Sequence, residues 1–231
     1  MTTHLTRPAI SEAVSGLGWR LILGRLETAI AVASMAAGGR LIAQLVERCA
    51  PADERMIRFD LRPGAVLITI EPADRPLAEP DLELARAISA AAADLGAETV
   101  SELADRALVV QGVEFAIDAM DIDAVRPFWR VVMGYVDAPD GSLYDPGRRG
   151  FPVWFQQMDE PRTQRNRVHF DVVVGHDVAA SRIAATLAAG GTLVSDAEAP
   201  AFWVMADIEG NEVCICTWQG RDPGAAVSVG G

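Results

Sequence analysis

The sequence predicts an α+β protein built in two parts. Three observations carry that expectation. Residues 1–95 mix short strand-like runs with amphipathic helices that suffice to cover one face of a sheet. Residues 113–219 hold a strand–helix–three-strand pattern twice over. The length of 231 residues, half of them apolar and 23% charged, suits one large or two small globular domains.

In chain order, Ile10–Leu17 is a short amphipathic helix closed by Gly18. Trp19–Leu23 and Glu27–Ala33 are strand-like, with Gly24-Arg25 as a tight turn. Met35–Cys49 is helical, with Leu41, Ile42, Leu45 and Val46 on one face. Arg62-Pro63-Gly64 leads into the β-rich run Ala65–Ile70. Asp81–Leu95 is the clearest helix, since Leu84, Ile88, Ala91, Ala92 and Leu95 recur with a 3.6-residue period. Gly96–Gly112 reads as a linker, followed by a domain over 113–220 and a flexible tail over 221–231.

The repeat is legible residue by residue. Val113-Glu-Phe-Ala-Ile117 resembles Val168-His-Phe-Asp-Val172. After the first run, Asp121 is a good N-cap for a helix presenting Ile122, Val125, Phe128, Trp129 and Val132, ended by Gly134. After the second come Asp177, then Val178, Ile183 and Leu187, ended by Gly190-Gly191. Short strands follow each helix: Gly134–Val136 and Pro152–Gln157 in the first copy, and Thr192–Val194, Ala201–Met205 and Glu212–Thr217 in the second.

Charge and composition exclude several chemistries. All 20 bases are Arg, so lysine Schiff-base chemistry and the P-loop lysine are absent. Exclusive Arg use beside abundant Ala and Gly fits a codon bias, so a single Arg carries little functional weight. The net charge of −12 argues against nucleic acid and anionic membrane as partners. No charged segment precedes an apolar one at the N-terminus, and Thr28–Gly39 is too short to span a bilayer, so a cytoplasmic location is expected. Cys214 and Cys216 share one strand face, and strain disfavours a disulfide between them.

The paired β-α-β-β-β unit resembles the vicinal-oxygen-chelate superfamily, the glyoxalase/bleomycin-resistance/dioxygenase fold, in its glyoxalase-like branch. The resemblance rests on Asp121…Phe128-Trp129…Gly134-Tyr135, on Arg165-Asn-Arg-Val-His-Phe-Asp171, on Asp207-Ile-Glu-Gly-Asn211 leading into the last strand, and on Gly190-Gly191. It implies a cup lined by both modules that takes a small-molecule ligand, with each module lending two ligands to one divalent ion: Ni, Zn, Mn or Fe. The matching metal positions are Glu114, His169 and Glu212, with Gln156 or Trp154 at the fourth. Glu212 and His169 are the candidate catalytic residues, and Trp154, Phe155, Trp203 and Arg167 the candidate substrate-binding residues. Core packing and solvated ion pairs account for the same side chains equally simply.

The first part resembles pterin-4a-carbinolamine dehydratase over residues 5–95. The resemblance is carried by Ile10-Ser-Glu-Ala-Val14, Gly18-Trp-Arg20, Gly24-Arg-Leu-Glu-Thr28, Asp60-Leu-Arg-Pro-Gly64 and Asp81–Ile88. It implies a small α/β sandwich whose catalysis needs a His pair and a third His. Those positions hold Arg55, Met56 and the stretch Ala73-Asp74, with Glu71 or Asp74 as substitute acids. Three functions therefore stand side by side: a glyoxalase-like binder or enzyme, a pterin dehydratase, or a non-catalytic sequestering or interaction protein. Both folds often dimerise, so a homodimer is one option.

Overall fold

The computed structural model describes residues 5–49, 56–72, 75–104, 108–161, 168 and 170–220. The chain divides into two compact units, Met1–Gly112 and Val113–Gly231.

The first unit runs α1 (Arg7–Ser15), β1 (Arg20–Ile22), β2 (Arg25–Ala31), α2 (Met35–Val46), β3 (Ile57–Arg62), β4 (Ala65–Ile70), α3 (Glu79–Asp94), β5 (Glu102–Leu103) and β6 (Leu108–Val109). Its main sheet is antiparallel in the order β1-β2-β4-β3. Leu23 and Gly24 turn the chain from β1 to β2 with φ of 46° and 79°, the two positive values a two-residue hairpin loop requires. Ile10 and Val14 of α1, Leu41 and Leu45 of α2, and Leu82 and Ile88 of α3 bury Leu26, Ile30, Val66, Ile68 and Ile70.

Two expectations change here. Ile57–Arg62 is a strand, because Ile57, Phe59 and Leu61 alternate with Arg58, Asp60 and Arg62. It lies at the sheet edge, where charged outward residues discourage further pairing. Residues 96–112, expected as a linker, are instead bound into the first unit. Val100 exchanges both backbone hydrogen bonds with Ala29 at 2.8 Å, continuing the sheet beyond the end of β1. The β5–β6 pair then places Leu103 and Val110 over Ala29 and Ala65. The apolar residues there follow no regular period, and the sheet supplies the burial.

The second unit contains β7 (Phe115–Ala119), α4 (Ile122–Met133), β8 (Val136–Asp137), β9 (Leu143–Tyr144), β10 (Val153–Gln157), β11 (Asp171–Val173), α5 (Ala179–Ala188), β12 (Thr192–Ser195), β13 (Phe202–Ala206) and β14 (Glu212–Cys216). Its two four-stranded sheets have one topology, β7-β10-β9-β8 and β11-β14-β13-β12, with the first strand parallel to the fourth in each. The β-α-β-β-β repeat read from the sequence is therefore present at the level of strand order. Leu143–Tyr144, two residues long, is the strand that the first copy's sequence conceals.

Both modules share one core. Ile117, Phe128, Trp129, Val132 and Val153 of the first meet Met205, Val213 and Ile215 of the second. Phe115 and Phe170, the matching positions of the repeat, meet edge to face with ring centroids 4.9 Å apart. The Trp129 indole N–H donates to the Asp207 carboxylate at 2.9 Å, and Glu209 accepts the Met120 and Asp121 amides at 2.8 and 2.7 Å. Those are the first free amides at the start of α4, where an anion also complements the helix dipole.

Candidate functional site

The alternation along the strands of the second unit sorts residues onto two faces. Phe115, Ile117, Val153, Phe155, Phe170, Val172, Trp203, Met205, Val213 and Ile215 belong to the core cluster beneath the helices. The opposite parity carries Ala116, Asp118, Trp154, Gln156, Asp171, Val173, Glu212, Cys214 and Cys216. Because the two sheets bury their other faces in one shared core, these helix-free faces both turn away from it. They are the candidate site.

The ladder registers give matched positions in the two modules. Ala116 pairs with Trp154 in the first module where Asp171 pairs with Cys214 in the second. Asp118 and Gln156 correspond in the same way to Val173 and Cys216. One face thus offers an indole with 36% exposure and a carboxylate–amide pair; its counterpart offers a thiol–carboxylate pair.

Cys214 is buried at the centre of its half of this face. Burial pushes its thiol up to about 12, and the charges of Asp171, Cys216 and Glu212, with a hydrogen bond to Asp171, act in the same direction. A thiol held this way stays protonated near neutrality and is a poor nucleophile. None of Cys49, Cys214 and Cys216 is in a disulfide.

The sequence-predicted residues fall unevenly on this geometry. Trp154, Gln156 and Glu212 are on the helix-free face, and Glu114 is exposed just before β7. Phe155 and Trp203, expected to bind substrate, pack into the core instead, because odd and even positions of one strand cannot share a face. His169 and Arg167 lie outside the described residues.

The fourth metal position is offset along the sheet. Phe115 is level with Val153, and Gln156 is level with Asp118. The Glu114 and Gln156 backbones are thus four residues apart along parallel strands, about 13 Å. The place corresponding to Glu212 is held by Pro152, whose carbonyl accepts the Phe115 amide at 2.9 Å. Proline has no side-chain donor. Among the described residues, no group of three or more His, Cys, Asp or Glu side chains is placed to hold an ion.

Asp118, Asp171 and Cys214 had no role in the sequence reading. The signal for them was present in the alternation of Phe115, Ile117 and Ala119, which turns residue 118 outward, and in Asp171, which closes the motif around His169.

In the first unit, Met56 accepts an N–H of Arg75 on its sulfur at 3.4 Å, and Ile57 opens β3. Glu71 forms an ion pair with Arg58 at 2.6 Å. Arg55, Ala73 and Asp74 lie outside the described residues. The first unit also has a cleft of about 750 Å³ bordered by Gly18, Ser89, Glu98 and Thr99. Its hydroxyls serve the fold: Trp19 donates to Ser89 at 2.9 Å, Ser89 and Thr99 bond at 2.8 Å, and Thr99 donates to the Leu17 carbonyl at 2.7 Å.

No helix among the described residues is long and apolar enough to cross a membrane. No curated protein matches the chain. Similar solved structures include a hypothetical protein from S. aureus, with 14% identity over 48% of this chain and 95% of that one and a TM-score of 0.37. A glyoxalase-related enzyme from Fulvimarina pelagi has 18% identity over 47% and 88%, with a TM-score of 0.38. The fosfomycin resistance protein FosX from Mesorhizobium Loti has 12% identity over 47% and 92%, with a TM-score of 0.37. Residues 114–216 match the family model described as a glyoxalase-like domain.

Proposed function

We propose that the second unit binds a small molecule on the helix-free faces of its two sheets, as a glyoxalase-like binding protein or enzyme. The observation that carries this reading is the alternation itself. Each sheet packs one face into a common core and presents on the other Trp154, Asp118, Gln156, Asp171 and Glu212. An aromatic wall beside a few polar groups is the usual make-up of a ligand site. Carboxylates and an amide oxygen accept hydrogen bonds, so they favour a ligand rich in hydroxyl or amino donors. Glu212 and His169 are the residues proposed to act on it, and Arg167 to contact it.

A divalent ion enters this reading as a guest of Glu114, His169 and Glu212, with Gln156 as the fourth candidate, since Pro152 offers no side-chain donor. It would serve as a Lewis acid, polarising a substrate oxygen. Nothing else in the proposal depends on it.

A thermal-shift screen of a small-molecule library tests the reading on the full chain. A ligand that binds only the folded form stabilises it by about 2.7 kcal/mol at a hundred times its Kd and so raises the unfolding temperature. The expected hits lose most of that shift in Trp154→Ala, Asp171→Asn and Glu212→Gln. Hits indifferent to all three substitutions, or no hits at all, overturn it. Mn(II) binding followed by EPR in wild type and Glu212→Gln decides the ion separately.

For the first unit we propose kinship in fold with the dehydratases without their acid–base chemistry. Its antiparallel sheet with three helices on one face supports the kinship. Met56 in place of an imidazole, and the ion pair that engages the substitute acid Glu71, support the loss. Acceleration of pterin carbinolamine dehydration in a stopped-flow assay would overturn it.

A further inference from the structure

His176 and Trp218 form a pair that the site does not use. The Trp218 indole N–H donates to Nδ1 of His176 at 3.1 Å, and the rings meet edge to face, 5.4 Å between centroids and 75° between planes. His176 lies in the turn that follows β11, and Trp218 lies two residues after β14. These strands are already joined at this end, where the Val174 amide donates to the Cys216 carbonyl at 2.9 Å. Beyond Cys216 the chain is held across to the neighbouring segment at Thr217, whose amide donates to the Ala201 carbonyl at 2.9 Å and whose hydroxyl donates to the Pro200 carbonyl at 2.6 Å. The bond to His176 is the next fastening along the chain. It sits at the end of β14 opposite Glu212.

The chemistry of the pair makes it conditional. An indole N–H only donates, so Nδ1 must offer its lone pair, and the imidazole is the neutral form with its proton on Nε2. Protonation fills that lone pair and turns the acceptor into a donor facing a donor. Both side chains are exposed, so protons reach the ring freely. The charged neighbour on its own turn is Asp177. From the far side, Thr217, Gln219 and Gly220 bring no charge, and Cys216 brings a buried thiol. On α5 the first residues are Ala179, Ala180 and Ser181, and the Arg182 guanidinium is engaged by the Val132 carbonyl at 2.9 Å.

We propose that His176 and Trp218 form a pH-sensitive latch for the segment that leaves β14. It is closed when the imidazole is neutral and open when it is protonated.

The test is a pH titration of the 15N-labelled full chain from pH 8 to pH 5, following the Trp218 indole N–H resonance and assigning it with Trp218→Phe. His176→Asn keeps an acceptor oxygen close to the Nδ1 position but does not titrate. The expected result is a downfield indole proton at pH 8 that moves upfield with a single midpoint in wild type and stays fixed in His176→Asn. An indole resonance that is constant in wild type, or that titrates equally in His176→Asn, overturns the proposal. Both positions are exposed, so neither variant threatens folding.

Discussion

The two modules of the second unit share a strand order and a parallel first-to-fourth pairing, yet they use equivalent turns for opposite purposes. In the first module the turn between its third and fourth strands holds Asp145, which accepts the amides of Gly147, Arg149 and Gly150 at 2.8 to 3.0 Å. Burial pushes that carboxyl up, but the three amides outweigh it and leave it below the ordinary range. In the second module the turn holds Asp207, 2% exposed, which serves its own Glu209 and Asn211 amides and also reaches the Trp129 indole in the other module. A repeat that is symmetric in backbone is thus asymmetric in what ties it together: the second module's turn fastens the first module's helix.

The largest consequence follows from removing each carboxylate. Asp207→Ala leaves the buried Trp129 N–H and the Asn211 amide unsatisfied, and should destabilise the protein by about 3 kcal/mol. Asp145→Ala frees amides that solvent can reach, and should cost about 1 kcal/mol. Urea unfolding of the two variants measures the difference. Equal losses would mean that the turns are equivalent and the asymmetry is of no energetic importance.

The helix ends repeat the contrast on a smaller scale. α4 begins at Asp121, whose carboxylate accepts the Ala124 amide at 3.0 Å, and ends at Gly134 with φ 70° and ψ 32°. α5 begins at Val178 with no side-chain cap and is followed by Gly190 at φ 93°. A Cβ at Gly134 meets the Arg182 guanidinium at 2.8 Å, whereas one at Gly190 meets nothing. Gly190→Ala should therefore cost about 1 kcal/mol from backbone strain alone. Gly134→Ala should cost about 2 kcal/mol, because displacing Arg182 also breaks its bond to the Val132 carbonyl. Asp121→Ala, a lost cap, should cost about 1 kcal/mol. Chemical denaturation that ranks Gly190→Ala above Gly134→Ala would refute the role given to Arg182.

These particulars explain what the sequence could and could not disclose. The repeat was legible because Phe115 and Phe170, Asp121, the α4 aromatic pair and the Asp207–Asn211 turn are local signals with fixed spacing. Leu143–Tyr144 was hidden because a two-residue strand has no period, and Val100 because its partner, Ala29, is 71 residues away. At the site, aromatic content alone does not separate Trp154, on the helix-free face, from Phe155, packed against the core. Which of two adjacent aromatics faces the core depends on register, and a one-residue slip reverses the answer. The level of Gln156 against Glu114 is likewise set by the ladder, not by the sequence spacing.

The smallest effect near neutrality concerns the matched pairs Ala116–Trp154 and Asp171–Cys214, and it emerges only in alkali. The Cys214 thiol is raised from 9.0 to about 12 in the folded protein, so the folded chain keeps a proton that the unfolded chain releases above pH ~9. The group's contribution is fully present below that value and is lost as pH climbs towards 12. Stability measured by urea unfolding should therefore fall between pH 8 and pH 10.5 in wild type and fall less steeply in Cys214→Ser. Asp171→Asn removes one negative neighbour but not the burial, so it should recover part of the difference and make Cys214 react severalfold faster with iodoacetamide at pH 9. Trp154→Phe, at the corresponding position of the first module, has no titrating group and should leave the alkaline slope unchanged. A slope that is the same in wild type and Cys214→Ser would show that the thiol is not held as the ladder places it.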